Sequence, residues 1–381
     1  MRVGLITAGS DSPGANAAIR GFGKAVANTH NMEVLGFRDG YLGLIEDRKV
    51  NLLEGSMLSG ILTLGGTILG TSRHVPEFMP SPQGPVDRTQ EAIDSYHRNN
   101  LDTLIIIGDN KSQSAAYHLS QAGLNIITIP KACENDIPRT DKSIGFDTAR
   151  EIATQAIDRL HTNANATHRI MLVELLGNSS GWLTMGAGLA AGADVILIPE
   201  IPYDFDVAIE AIQRRQAAGR NFSLVAVAEK ARSRELVDFM ELAASKRATS
   251  AEEQEKAFER IENNYSAQTL LLARRLGEAT DLETHITILG SLVRGGTPTA
   301  ADRLLANQLA EWSMKMAVEG QFGRMACRID GSVTSVPLDE VAGKVKTIPL
   351  DHDWIRGSLQ IGACLGVSDL SLAEMIKKDL L

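Results

Sequence analysis

After its first apolar run the chain reads Ala8-Gly9-Ser10-Asp11-Ser12-Pro13-Gly14-Ala15-Asn16. Residues this small let the backbone approach a ligand, and a helix starting near Gly14 offers unbonded N–H groups to an anion. A tight strand-to-helix turn needs the same glycines, so a phosphate cradle and a plain turn both fit. The segment is neither a Walker P-loop, whose G-x-x-x-x-G-K-[ST] occurs nowhere in the chain, nor a G-x-G-x-x-G dinucleotide fingerprint. Cys133, Cys327 and Cys364 lie far apart with no metal-ligand spacing, which argues against a disulfide framework and for a reducing compartment.

Such loops need a rigid frame. Val3–Thr7, Leu104–Ile107, Ile126–Ile129, Ile170–Glu174, Val195–Ile198 and Leu224–Ala228 are short apolar runs that read as strands. Ala15–Thr29, Ser112–Ala122 and Ile144–His161 read as the helices that follow several of them. Continuous apolar strands separated by helices predict an α/β fold with a mostly parallel sheet covered on both faces. Ligands of such sheets bind at the carboxyl ends of strands, so the loops there carry the chemistry. Pro76–Pro85, with four prolines, reads as an ordered surface loop or a mobile flap, and Val237–Leu276 as long exposed helices.

At 381 residues the chain is long enough for two α/β lobes, and its 44% hydrophobic and 22% charged residues suit buried cores with a charged surface. A net charge of −9 argues against nucleic-acid or membrane-surface binding. No apolar run approaches the ~20 residues of a membrane span, and Met1–Thr7 reads as a buried strand rather than a signal peptide. A cytoplasmic protein is expected.

The segment Pro130-Lys131-Ala132-Cys133-Glu134-Asn135-Asp136, followed by Gly145-Phe146-Asp147-Thr148-Ala149, resembles the phosphofructokinase family. The resemblance runs in order through Asp39–Leu44, Gly65–Arg73, Val173–Gly177, Ala226–Glu229, Leu289–Pro298, Asp302-Arg303 and Gly323–Met325, which is nearly the whole chain. It implies two similar lobes of mostly parallel sheet. The donor lobe would be residues 1–145 with about 293–343, and the sugar-phosphate lobe 146–292 with about 344–381. It also implies phosphoryl transfer from ATP or pyrophosphate to fructose 6-phosphate with Mg²⁺ as cofactor.

Carried over residue by residue, the resemblance makes Glu134 the general base, with Asp136, Lys131 and Arg73 as its catalytic companions. Glu134 stands for an aspartate, and its extra methylene displaces the carboxylate by about 1 Å, a shift able to cost about 10²-fold. Lys131 is pyrophosphate-like, and Ala132 lacks the family's hydroxyl. Gly9, Ser10, Asp11, Lys111 and Ser112 would hold the donor, with Ser10 standing for a glycine. In Gly108-Asp109-Asn110-Lys111-Ser112, Asn110 takes the place of the metal-binding aspartate, and Asp109 offers a displaced metal position. An amide is a poorer ligand for a hard cation than a carboxylate. Arg169, Gly177, Asn178, Glu229, Ser291, Arg294 and His285 would bind the acceptor. Asn178, Ser291 and His285 depart there from the family's arginine, histidine and arginine.

Two readings follow from the resemblance. One is a phosphotransferase, its donor pyrophosphate in preference to ATP, with altered acceptor preference or low turnover. The other is an inactive homologue serving as regulatory subunit or metabolite sensor. A homodimer or homotetramer is expected, or an assembly with an active paralogue, because Arg169 and His285 match positions that reach a neighbouring subunit.

Overall fold

The computed structural model describes residues 1–29, 32–245 and 268–379. The strands in chain order are β1 (Arg2–Ala8), β2 (Glu33–Phe37), β3 (Lys49–Asn51), β4 (Thr103–Gly108), β5 (Ile126–Pro130), β6 (Ile170–Leu175), β7 (Val195–Leu197), β8 (Ser223–Ala228), β9 (Thr284–Ile288), β10 (Arg324–Ile329) and β11 (Ser332–Pro337). The chain folds into two compact units, Met1–Ala149 with Arg294–Lys346, and Arg150–Val293 with Thr347–Leu381.

The first unit carries a sheet of order β11-β10-β5-β4-β1-β2-β3, parallel except for the antiparallel edge strands β3 and β11. Its central strands are apolar on both faces for a visible reason. Val3, Leu5, Ile105, Ile107, Ile127 and Ile129 pack under the helices Ala15–Thr29 and Ala300–Val318. Their neighbours Ile6, Leu104, Ile106 and Ile126 point the other way, toward the helix Asn110–Gln121. The period of two thus fills two cores from one strand.

Helix boundaries follow their caps. Asn110–Gln121 begins two residues before the apolar pattern does, because the Asp109 carboxylate accepts from Ser112 N at 3.1 Å. Phe146–Thr167 begins two residues late and runs past His161. Its start is held by buried Asp302, which accepts from Gly145 N at 2.9 Å, Thr148 N at 2.7 Å and Thr148 Oγ1 at 2.5 Å. Pro76–Pro85 carries a 3₁₀ turn at Pro76–Phe78, and paired hydrogen bonds join Met79 to Val86.

The second unit carries an all-parallel sheet of order β7-β8-β6-β9. Of the span Val237–Leu276, residues 246–267 lie outside the described residues. The helix Gln268–Thr280 corrects the expectation of full exposure, since Leu272, Ala273 and Leu276 are buried against Ile212 and Val225 of the core. Among the described residues no helix is long and apolar enough to cross a membrane.

Candidate active site

In the first unit β1, β4 and β5 are neighbours, in register at Ala8, Gly108 and Pro130, so the loops leaving their carboxyl ends are brought side by side. Asp109 joins two of them. Its Oδ2 accepts from Ser10 N at 2.8 Å, while Oδ1 accepts from Ser112 N and, at 2.8 Å, from Ser112 Oγ. Gly9 allows the approach: its φ is +82°, and a Cβ there would sit 2.1 Å from the Asp109 carboxyl carbon. On its other side Gly9 donates to Ser72 O at 2.8 Å and accepts from Thr71 Oγ1 at 2.7 Å, which sets Arg73 beside the first loop.

Lys131 joins the third loop to the first. It is 1% exposed, and its ammonium donates to the Ser10 carbonyl. Burial lowers its pKa, and the Asp109 carboxylate resists that fall. Glu134 Oε1 accepts from Arg294 Nη2 at 2.5 Å, and Arg294 Nη1 donates to Asp11 O at 3.1 Å. One arginine therefore ties Glu134 to the first loop. Cys133 is a packing residue: it is buried with Sγ 3.3 Å from Ser12 Oγ, and burial pushes its thiol up to about 12. Ala132 is buried as well.

Asp136 sits under a segment that nothing in the sequence marks. Its carbonyl accepts from Lys346 N at 2.8 Å, and the Lys346 ammonium donates to Thr140 O and Asp141 O, each at 2.8 Å. Burial, then the Glu134 and Asp109 carboxylates, push the Asp136 carboxyl up to about 7. Burial lowers Lys346 to about 8. The linkage has a definite sign. As pH rises from the ordinary 3.8 toward about 7, the unfolded chain releases the Asp136 proton while the folded chain keeps it. That stabilising contribution is complete at low pH and is lost as pH rises through about 7. Asp136→Asn should therefore lose less stability than the natural chain between pH 4 and pH 8. Urea unfolding across that range reads the difference, and identical pH slopes would refute the raised carboxyl.

The remaining donor-side residues are differently placed. Asn110 Nδ2 donates to Lys344 O at 2.7 Å and to Asp136 O at 3.2 Å, so its amide is a strut between two backbone segments. Lys111 and Arg73 are exposed and form no hydrogen bond or ion pair among the described residues.

In the second unit Gly177 and Asn178 follow β6, Glu229 follows β8, and Ser291 follows β9. These three strands are adjacent and parallel, so the four residues gather at one end of the sheet. Glu229 N donates to Leu175 O at 2.9 Å, Gly177 is buried, and Asn178 and Ser291 are exposed. Arg169 and His285 are not with them. They sit at the amino ends of β6 and β9, about 17 Å away along a strand. There Arg169 Nε and His285 Nε2 share one carboxylate, Glu283, at 2.7 and 2.8 Å.

Residues 2–317 match the family model described as Phosphofructokinase. The chain belongs to the phosphofructokinase family. It is 47% identical to the ATP-dependent 6-phosphofructokinase of Propionibacterium freudenreichii, covering 96% of this chain and 99% of the relative. It is 44% identical to the ATP-dependent 6-phosphofructokinase of Spirochaeta thermophila, covering 95% and 97%. Among solved structures, the pyrophosphate-dependent phosphofructokinase of Nitrosospira multiformis superposes with a TM-score of 0.75 at 16% identity, over 98% of this chain and 91% of that one.

The magnesium ion that the phosphofructokinase family implies can be tested against these side chains. Asn110 turns its N–H₂ to carbonyls, and both Asp109 oxygens already accept from the protein. Asp11 Oδ1 accepts from Ser12 N at 2.9 Å. Among the described residues no group of three His, Cys, Asp or Glu side chains could hold a metal ion. The Asp109 oxygens and the Asn110 N–H₂ are thus taken by the protein, and a Mg²⁺ here would be held by one or two carboxylates such as Asp11 together with the donor phosphates. Sequence reasoning marked Asp302 only as part of a family motif, without its helix-start role, and missed Lys346 and Glu283, which no spacing signal could have found.

Proposed function

We propose that this chain is a phosphotransferase of the 6-phosphofructokinase type. It moves a phosphoryl group from a phosphoanhydride, ATP or pyrophosphate, to fructose 6-phosphate or a related sugar phosphate. One observation carries the reading: Lys131, Glu134 and Arg294 lock the loop after β5 onto the Gly9–Gly14 loop, so a carboxylate stands beside a candidate phosphate cradle. The acceptor hydroxyl oxygen would attack the terminal phosphorus as the bridging P–O bond breaks, and the leaving phosphate keeps the electron pair. Glu134 takes the hydroxyl proton. Arg73 and Lys111 contact donor phosphate, with the first unit as the donor lobe. Gly177, Asn178, Glu229 and Ser291 of the second unit serve the acceptor.

The relatives' names favour ATP, whereas Lys131 and Lys111 favour a compact donor such as pyrophosphate. Magnesium enters as the counter-ion of the donor and no step is assigned to a protein-bound ion. Arg169 and His285 lie beside the free edge of β9, and we place there the contact with a second subunit of this chain or of an active paralogue. The cytoplasm suits such a protein. The Asn110 strut favours a second reading, a metabolite-binding regulatory homologue with no turnover of its own.

The test is an assay of the purified chain with fructose 6-phosphate and magnesium, once with ATP and once with pyrophosphate. Turnover with either donor, below about 10 s⁻¹, is expected. No sugar bisphosphate from either donor would reject the enzyme reading in favour of the regulatory one. A rate at or above about 10 s⁻¹ would reject the weakened site.

A further inference from the structure

Resting on that reading, we infer that Glu200 is a positioning residue of the acceptor site: its carboxylate holds the loop 177–181, and with it Asn178, in the place that fructose 6-phosphate needs. Glu200 follows β7 in the second unit and is half-buried. Both of its oxygens accept from Gly181 N, at 2.9 and 3.0 Å, and Oε1 also accepts from Ile348 N at 2.9 Å. No cation pairs with it among the described residues, so backbone N–H groups answer its charge. Gly181 is the N-cap of the helix Trp182–Ala190 and has no side chain with which to cap it. Glu200 bonds that N-cap N–H as the glutamate of a capping box does, but from outside the helix.

The loop's own side chains do not fix it. Asn178 and Ser179 are exposed, and the buried Ser180 hydroxyl has no hydrogen-bond partner among the described residues. Packing pins the near end, where a Cβ on Gly177 would lie 2.8 Å from the Ala228 Cβ, one residue before Glu229. Asn178 is therefore held between the Ala228 contact on one side and the Glu200 carboxylate on the other. The segment that supplies Ile348 N runs on to His352 and Trp354, whose rings meet Trp182 edge-on at 4.9 and 5.6 Å. One carboxylate thus secures both the loop and the segment packed on the first residue of the helix that follows it. Without that carboxylate two backbone N–H groups lose their acceptor, and the loop must shift to satisfy them.

Titration calorimetry of the full chain, with fructose 6-phosphate and separately with pyrophosphate, tests this. Glu200→Ala should raise the dissociation constant for fructose 6-phosphate by about 10-fold or more, the worth of a hydrogen bond to a charged group. The constant for pyrophosphate should stay within about 2-fold, as expected of a distant, independent site. Glu200→Gln should bind fructose 6-phosphate within about 3-fold of the natural chain, since Oε1 alone accepts from both N–H groups. Gly181→Ala, whose Cβ would lie 2.8 Å from Glu200 Oε2 and 2.5 Å from Ile198 Cβ, should match Glu200→Ala. If Glu200→Ala does not fold, Glu200→Asp, which keeps the charge and loses the reach, takes its place with the same expectation. Unchanged fructose 6-phosphate affinity in these variants, a glutamine variant as weak as alanine, or equal weakening of both ligands would overturn the inference and leave the phosphotransferase reading standing. A natural chain that neither binds fructose 6-phosphate nor turns it over in the assay above would overturn both.

Discussion

Glu134→Gln should lower turnover of fructose 6-phosphate by about 10²- to 10⁴-fold, the usual contribution of a positioned general base. The substitution isolates proton transfer from architecture. A glutamine carbonyl can still accept from Arg294 Nη2, which lies 2.5 Å from Oε1, so the tie from Glu134 through Arg294 to Asp11 O persists. The amide cannot take a proton from the acceptor hydroxyl. The melting temperature and the affinity for pyrophosphate should therefore stay close to those of the natural chain while kcat collapses. A loss of less than 10-fold would mean that Glu134 is not the base. A comparable loss accompanied by a large fall in melting temperature would assign it to structure instead.

Asp302→Ala should destabilise the first unit by about 3–5 kcal/mol, because three buried donors lose their acceptor and each unsatisfied donor costs about 1–3 kcal/mol. Those donors, Gly145 N, Thr148 N and Thr148 Oγ1, form the start of the helix Phe146–Thr167, and Asp302 itself is 1% exposed. Water has no ready path to replace it. At about 2–4 °C per kcal/mol for a domain of this size, the melting temperature should fall by about 6–20 °C. Asp302→Asn keeps one acceptor oxygen and should fall by less. If alanine and asparagine melt alike within 2 °C of the natural chain, the carboxylate is not what holds this helix start.

The sequence by itself determined the architecture. Runs such as Leu104–Ile107 can be buried only between two layers, so their continuous apolar character specified a parallel sheet covered on both faces, and the ordered motifs specified the family. It also located the loops, since loops at the carboxyl ends of parallel strands follow from strand order alone. What each polar side chain does there was decided by tertiary structure, because hydrogen-bond partners come from residues far away in the chain. Glu134 reads in sequence as a carboxylate pushed out of line by one methylene; in the fold that length reaches Arg294, 160 residues away. Asn110 reads as a weakened metal ligand, yet its amide braces Lys344 O and Asp136 O. Lys131 reads as an anion-binding lysine and is buried against the Ser10 carbonyl. Periodicity and composition are local properties and survive in the one-dimensional string. A donor's choice among distant acceptors is not local, and it is fixed only when packing brings β1, β4 and β5 side by side and excludes water from the loops that leave them.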